Sequence, residues 1–431
     1  MTADPVSASP VNAVTSPDFA AITADLMNRI DQLCLLTEVP GSVQRTFLST
    51  TAARMHAALN AWATELGLDA WVDAAGNWHA VLPGSNPDAP TFIIGSHLDT
   101  VPDGGKYDGL LGVVLGLALA GQLKRSPAAR PYRLEVLGFS EEEGVRFGVP
   151  FIGSLSALGQ AGPLLDVRDS QGRSVRQAMR DFGLDDMHIG DATLSGPHLG
   201  FLEVHIEQGP VLEAAGQPLG LVSALVGHHR LKLTFTGRAN HAGTTPMHLR
   251  GDALMAAAEW MLQAERLAQD TPGLVATVGQ IQAFPGASNV IPGRVELTLD
   301  LRHADDQLRA ARLAELEALL QQVSARRGVR AQAEVLTVIP AVPLDAGFQA
   351  GLKRAAEHLD LVPPTLVSGA GHDAMILARA MPAAMLFVRT PGGLSHHPGE
   401  AAASEDVRAA LEVVWRFLLG LGAVVDSEAR P

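Results

Sequence analysis

The sequence predicts an α/β protein assembled from two parts. Residues 18–221 and 341–431 alternate apolar, strand-like runs with helix-period segments, the pattern of a mostly parallel sheet covered by helices. Residues 222–340 switch to half-exposed alternation in the order β-α-β-β-α-β, which fits a ferredoxin-like α+β sandwich inserted into the first domain. A third observation is chemical: His, Asp and Glu recur where predicted strands end, the place where open α/β sheets keep their functional groups.

The elements follow in order. Residues 1–17, rich in Ala, Ser, Val and Pro, lack a charged stretch leading into an apolar one and read as a disordered tail, not a signal peptide. Residues 18–36 repeat Phe19, Ile22, Leu26, Ile30 and Leu33 at helical spacing, and a second helix is expected over 44–66. Residues 71–82 alternate around a turn at Ala75, Gly76 and Asn77. The run at 91–97 is a buried strand, 110–122 the helix packed on it, and 133–140 another strand that ends in Glu141, Glu142 and Glu143. A surface helix is expected over 174–183 and a strand over 200–206. In the insertion, 221–237 carries an alternating strand at 230–236. A helix over 251–269, strands over 274–282 and 294–302, a helix over 305–326 and a strand over 329–337 follow, and Pro340 and Pro343 mark the exit. Helices at 345–359, 372–379 and 404–421 and a strand at 383–388 complete the chain.

The bulk numbers exclude several classes. The chain has 431 residues, 47% of them apolar, enough for two domains with sizeable cores. A formal net charge of -14 is a poor match for nucleic acid, which rewards clustered Lys and Arg. No apolar run approaches the roughly 18 residues of a membrane span. The lone cysteine, Cys34, leaves no internal disulfide and no cysteine-based zinc site, and suits a reducing cytoplasm. It sits on an apolar helical face, where core packing explains it better than nucleophilic chemistry.

Four clusters carry the chemistry. His97, Asp99 and Asp108 lie in the loop Gly95 to Gly112; Glu142 and Glu143 end the next strand; His205 ends another; Ser395, His396 and His397 follow the last. Histidines and carboxylates spread over distant strand ends are what a zinc or dizinc site needs. Two metals about 3.5–4 Å apart need a bridging carboxylate, and adjacent glutamates allow one to ligate while the other stays free as a general base. Each piece alone has a plainer explanation. A buried histidine is more often a satisfied core residue than a ligand, three glutamates in a row more often a solvated patch, and Asp99 a cap or turn residue. Their common position at strand ends favours the metal reading. A Gly-x-Ser-x-Gly elbow and a Walker-type phosphate loop are both absent from the sequence.

Seven collinear motifs resemble one family. They are Gly-Ser-His-Leu-Asp-Thr-Val (95–101), Tyr-Asp-Gly (107–109), Glu-Glu-Gly-Val-Arg-Phe (142–147) and His-Ile-Glu-Gln-Gly-Pro-Val-Leu-Glu (205–213). Gly-Arg-Ala-Asn-His-Ala-Gly-Thr-Thr-Pro-Met (237–247), Ser-Gly-Ala-Gly-His-Asp-Ala (368–374) and Gly-Leu-Ser-His-His-Pro-Gly-Glu (393–400) follow. Over residues 19–422 the chain resembles the hydantoinase/carbamoylase family of amidohydrolases. That family includes N-carbamoyl-L-amino-acid hydrolases, β-ureidopropionases and allantoate amidohydrolases, and is related to aminoacylase-type dizinc metallopeptidases.

The resemblance implies a dizinc exopeptidase-like catalytic domain, 18–221 with 341–431, and a lid and dimerisation domain, 222–340. It implies two divalent metal ions per subunit, with Zn expected and Mn, Co or Ni possible. His97 and His205 resemble ligands of one metal, Asp108 the bridging carboxylate, and Glu143 and His396 ligands of the other. Glu142 resembles the general base, and Asp99 the carboxylate that orients His97 from behind. His241 resembles the oxyanion donor, and Gln208, Asn289, Arg302, Gly371 and His372 resemble substrate-binding residues, with Arg302 suited to a substrate carboxylate. A homodimer formed through the insertion is implied as well. The sequence departs from common family residues at His228, His229 and Val145, which bears on the substrate. His397 stands at a variable family position. The implied activity is metal-dependent hydrolysis of a linear C–N bond, first the carbamoyl group of an N-carbamoyl-L-amino acid. Allantoate, or an amide of the aminoacylase or dipeptidase type, is the alternative substrate. A metal-binding protein without catalysis fits less well, because pure binding has no need of an unliganded base.

Overall fold

The computed structural model describes residues 17–126 and 130–428, with side chains described as far as residue 421. The tail expected over 1–17 therefore lies, apart from Pro17, outside the described residues. The chain divides into two compact units. One comprises residues up to Ser223, Leu344–Leu366 and the chain from His372 onward; the other comprises Ala224–Pro343 with Val367–Gly371. Expectation had placed the insertion at 222–340 and had not included Val367–Gly371. That segment joins because the Val226 N–H donates to the Ser368 carbonyl at 3.0 Å, a long-range backbone contact that local periodicity does not reveal.

The first unit is a helix-covered sheet. Its strands lie in the order Asp69–Val72, Trp78–Leu82, Arg133–Phe139, Thr91–His97, His198–Ile206, Ala383–Val388, Leu219–Leu225. The four from Arg133–Phe139 to Ala383–Val388 run parallel, so their carboxyl ends meet on one edge. Thr91–His97 is buried at every position, as a strand covered on both faces must be. The helix Leu110–Arg125 that follows is buried nearly all round, which explains its lack of a polar face. Behind the sheet Phe92 packs against Phe348 and Phe417 with ring centroids 5.7 and 5.8 Å apart, and Phe19 meets Trp415 at 6.2 Å. The first and last helices, Phe19–Leu33 and Ser404–Glu428, thus close one core.

The second unit is an antiparallel sheet in the order Ile281–Phe284, Arg294–His303, Gly227–Thr236, Arg330–Ile339, with helices Ala253–Gln269 and Asp306–Arg327. Alternation along Gly227–Thr236 and Arg294–His303 puts Leu231, Leu233, Phe235, Val295, Leu297, Leu299 and Leu301 on one buried face, against Trp260, Leu316 and Leu320 of the helices. Each helix starts on an Asp cap, Asp252 and Asp305, whose carboxylate accepts two backbone N–H groups.

Several boundaries differ from expectation for physical reasons. The helix expected from 44 begins at Thr50, capped by Ser49. The preceding backbone is committed elsewhere: the Arg45 carbonyl accepts from Thr100 N and the Arg45 N–H donates to the Thr100 hydroxyl, both at 2.9 Å. The run 274–282 splits into Val275–Thr277 and Ile281–Phe284, and 221–237 into Leu219–Leu225 and Gly227–Thr236. The helix Ile152–Ala157 was not expected. Among the described residues no helix is long and apolar enough to cross a membrane.

A charged knot sits at the hairpin that joins Asp69–Val72 to Trp78–Leu82. His79 is buried between Asp73, at 3.2 Å, and Glu135, at 2.7 Å, with its ring stacked on Trp71. Burial pushes this imidazole down, but the two carboxylates outweigh it and raise it from 6.5 to about 9. A raised folded pKa contributes stability that is complete below the unfolded value and is lost as pH rises through about 9. Denaturant unfolding across that range should show a loss on the order of 3 kcal/mol. The His79→Gln variant should be less stable at neutral pH and show a flatter alkaline slope.

Candidate metal centre

The parallel strands deliver two imidazoles in a fixed orientation. His97 ends Thr91–His97, and its Nδ1 lies 3.0 Å from the Asp99 carbonyl. His205, near the end of His198–Ile206, has Nδ1 2.8 Å from the Ile206 carbonyl. A ring whose Nδ1–H donates to a carbonyl presents Nε2 as a lone pair, the form a metal ligand needs. Both Nε2 atoms face Asp108 Oδ1, at 3.3 Å from His97 and 3.1 Å from His205. His97 keeps its place because residue 109 is glycine. Its φ is +66°, and a Cβ there would stand 2.5 Å from the His97 ring.

Asp108 is shared with a second group. Its Oδ2 accepts from Ser395 Oγ at 2.9 Å and Gln208 Nε2 at 3.0 Å, and lies 3.4 Å from His396 Nε2. His396 Nε2 is also 3.3 Å from Glu143 Oε1. Two triads therefore meet on one carboxylate, His97–Asp108–His205 and Asp108–Glu143–His396, and the ligand atoms within each lie within 4.8 Å of one another. Glu142 stands beside them, grouped with His97 and Glu143. His397 turns its Nδ1 to the Gly399 N–H at 2.9 Å.

The glutamate loop is shaped by two other carboxylates. Glu141 takes a left-handed backbone conformation, φ +49°, and its Oε1 accepts the N–H groups of Arg146 at 2.9 Å and Phe147 at 3.0 Å. Asp99 accepts the N–H of Glu142 at 3.0 Å and of Glu143 at 3.1 Å. Asp99 thus meets both the His97 ring and the glutamate loop. Its carboxylate is 3.8 Å from His97 Nδ1 and is engaged by the glutamate loop, while its main-chain carbonyl holds the imidazole.

Electrostatics supply the test of whether a metal fits. Asp99, Asp108 and Glu142 are all buried. Burial pushes Asp108 up, but contacts with His205, His396 and His97 outweigh it and hold the carboxyl well below its usual range. His97 is pushed down by burial and, on balance, well up by Asp108; His205, also pushed down by burial, is raised on balance by Asp108. Asp108 and Glu143 raise His396 to about 10. Burial drives Glu142 well above the usual carboxylate range. Protein groups thus draw protons onto three imidazoles, which marks a cradle short of positive charge. Asp108 Oδ1 and His205 Nε2 are buried without a hydrogen-bond partner, although they face each other at 3.1 Å. A nitrogen and oxygen donor set with such unpartnered atoms fits a divalent cation at each triad.

The remaining expected residues fall in three places. Gln208 hydrogen-bonds Asp108 and Ser395, and its Oε1 is buried without a partner. His372 is buried with its ring 4.4 Å from that of His205, and burial and the charge of His205 hold it well below its usual range. Gly371 ends the short segment that groups with the insertion. In the insertion, Asn240–His241 pairs with Val290–Ile291, and the Ala242 N–H donates to the Asn289 carbonyl at 2.9 Å, so His241 and Asn289 share one ribbon. His241 Nδ1 accepts the N–H groups of Gly243 at 3.0 Å and Thr244 at 3.2 Å, which leaves the proton on Nε2 as an outward donor. Arg302 forks onto Asp300 through Nε at 2.8 Å and Nη2 at 2.9 Å, and Nη1 donates to the Gly369 carbonyl at 2.6 Å. His229 Nδ1 accepts from the buried Arg309 at 2.9 Å. Burial and nearby arginines hold His228 down, and its Nε2 is buried without a hydrogen-bond partner. Val145 lines a polar groove with Arg146, Asp169 and Arg173.

Sequence reasoning gave no role to Glu203, Asp300 or Glu400. Glu203 lies fully buried and accepts from Ser96 Oγ at 2.7 Å and Ala374 N at 2.8 Å, between the His97 strand and the segment after His372. A charged residue inside an otherwise apolar strand was its available signal. Glu400 ends a quoted motif, which was its signal.

This arrangement defines a class: a metal-dependent hydrolase with a buried glutamate, Glu142, beside two triads that share Asp108. Residues 93–420 match Peptidase family M20/M25/M40, and the chain belongs to that family. It is 37% identical to an allantoate deiminase of Arabidopsis thaliana, over 93% of this chain and 82% of that one. It is 37% identical to an N-carbamoyl-L-amino acid amidohydrolase of Geobacillus stearothermophilus, over 88% of this chain and 94% of that one. A hydantoinase/carbamoylase family amidase from Burkholderia multivorans has a similar crystal structure, with TM-score 0.86, 32% identity, and coverage of 92% of this chain and 97% of that one. The chain is accordingly an amidohydrolase acting on linear, non-peptide C–N bonds.

Replacing Gly109 by Ala strains the backbone and drives a methyl group into the His97 ring. The variant should keep its circular dichroism spectrum yet bind metal at least about 10-fold more weakly, as read by chelator competition.

Proposed function

We propose that the protein hydrolyses the carbamoyl group of N-carbamoyl-L-amino acids, with Glu142 as general base and His97, Asp108, Glu143, His205 and His396 holding two divalent cations, zinc first among them. The observation that carries this reading is the juxtaposition of a buried glutamate with two triads that share one carboxylate. When bound, such a metal pair supplies Lewis acidity that polarises a carbonyl and acidifies water.

The chain's own groups account for the rest. Glu142 accepts a proton from the attacking water, whose oxygen bonds to the carbamoyl carbon, and returns that proton to the nitrogen as the C–N bond breaks. Asp99 fixes Glu142 through the backbone, so the carboxylate need not reorganise during the transfer. His241, with its proton on Nε2, is the donor to the oxyanion. Arg302 receives the substrate carboxylate, and Gln208, Asn289, Gly371 and His372 complete the substrate contacts. Residues 222–340 act as lid and dimerisation domain. The strand Arg330–Ile339 supports that assignment, since it is an edge strand exposing Val335, Leu336 and Val338. The lone buried Cys34 fits a reducing, cytoplasmic setting.

Allantoate is the second reading, favoured by the plant allantoate deiminase that aligns over 93% of this chain. Assay of the metal-loaded protein on N-carbamoyl-L-amino acids, allantoate and N-acyl amino acids separates these readings. Ureide cleavage releases ammonia and carbon dioxide, whereas acyl cleavage releases a carboxylic acid. Turnover of N-acyl substrates alone would sink the proposal.

The Glu142→Gln variant should retain both metals and lose about 10²- to 10⁴-fold in kcat. Full activity in that variant would remove Glu142 from the chemistry. His241→Ala should lower kcat about 10²- to 10³-fold with little change in KM, and a change confined to KM would make His241 a binding residue only.

A further inference from the structure

We infer that Glu400 is a positioning residue that sets the bridging ligand Asp108 by gripping its main chain. The inference rests on the reading of Asp108 as a bridging metal ligand.

Glu400 lies 292 residues from Asp108 in sequence and is only 5% exposed. Its Oε1 accepts two consecutive backbone N–H groups, Tyr107 at 2.8 Å and Asp108 at 3.0 Å. Consecutive N–H groups converging on one carboxylate oxygen fix the peptide plane between them, and so the direction in which the Asp108 side chain leaves the backbone. The loop is also cut to fit this group. Residue 105 is glycine, and a Cβ there would collide with the Glu400 carboxyl group.

The same short turn supplies other contacts to Asp108. Ser395 Oγ donates to Asp108 Oδ2 at 2.9 Å, and His396 Nε2 is 3.4 Å from that oxygen. The turn is closed by the Gly399 N–H on His397 Nδ1 at 2.9 Å and the Glu400 N–H on the His397 carbonyl at 3.0 Å. One segment therefore holds Asp108 by its side chain and its main chain together. Glu400 belongs to none of the metal-ligand groups found among the described residues, so it acts through Asp108 and not on a metal. An apolar side chain would leave two buried N–H groups without an acceptor beside a ligand that serves both triads.

The test is equilibrium titration of the metal-free full chain with Zn2+ and with Mn2+ against a chromogenic chelator. Glu400→Ala and Gly105→Ala should each weaken metal binding about 10- to 100-fold. Glu400→Gln, which keeps an acceptor oxygen for both N–H groups, should restore most of the affinity. Wild-type affinity in Glu400→Ala, or equal damage in Glu400→Gln and Glu400→Ala, overturns the inference. If Glu400→Ala does not fold, Gly105→Ala decides: unchanged affinity overturns the inference, and a loss that Glu400→Gln does not share supports it. A wild-type chain that binds neither ion would instead overturn the metal-centre reading itself.

Discussion

A single buried carboxylate, Asp108, is the point on which the metal-binding unit depends. It faces three imidazoles, two on one oxygen and one on the other, and Asp99, Glu142 and Glu143 crowd the same region. Burying that much negative charge is costly unless cations or protons compensate it. The histidines show the strain by drawing protons. Much of the surrounding structure holds the charged groups where they would otherwise repel. Strand-end carbonyls fix the rings, Asp99 fixes the glutamate loop, and Ser395 and Gln208 fix the second oxygen of Asp108.

The parallel sheet makes such a site possible. His97, His205 and the segments carrying Glu142–Glu143 and Ser395–His396 all lie at or beyond the carboxyl ends of adjacent parallel strands. The apolar strands at 91–97 and 383–388 were legible in the sequence to the residue, because a strand buried on both faces is a continuous apolar run with abrupt ends. The clustered His, Asp and Glu side chains stand out in the sequence for a related reason: polar residues at the ends of such runs have few structural explanations in common. What the sequence hid was the set of backbone donors that meet side-chain acceptors across long separations. The Asp99 carboxylate stands 3.8 Å from the His97 ring two residues away and also serves N–H groups more than forty residues on. The second helix starts later than its period suggests because the Arg45 backbone pairs with Thr100, which no helical period reports.

The insertion shows in the sequence through the clean alternation of its two central strands, and the structure adds an Asp cap at the start of each helix. Its functional groups were less so. The family resemblance implies His241 as a donor; the structure adds two backbone N–H groups that occupy Nδ1 and leave the proton to Nε2. That tautomer is fixed locally, by residues 243 and 244, and needs no partner elsewhere to be set.

Arg302 makes the same point about preorganisation. A guanidinium has five N–H groups, and three of them are engaged, two by Asp300 and one by the Gly369 carbonyl. Five less three leaves two donors, one on each Nη nitrogen. Asp300 also takes Arg230 at 3.0 Å, so one carboxylate stands against two guanidinium groups and the cluster keeps an excess positive charge. A rigid fork with two remaining donors and unneutralised charge is better suited to an anionic group than a free, mobile arginine would be, because the ordering cost is met in the folded protein and not at binding. Asp300 therefore orients the Arg302 guanidinium without engaging all of its donors.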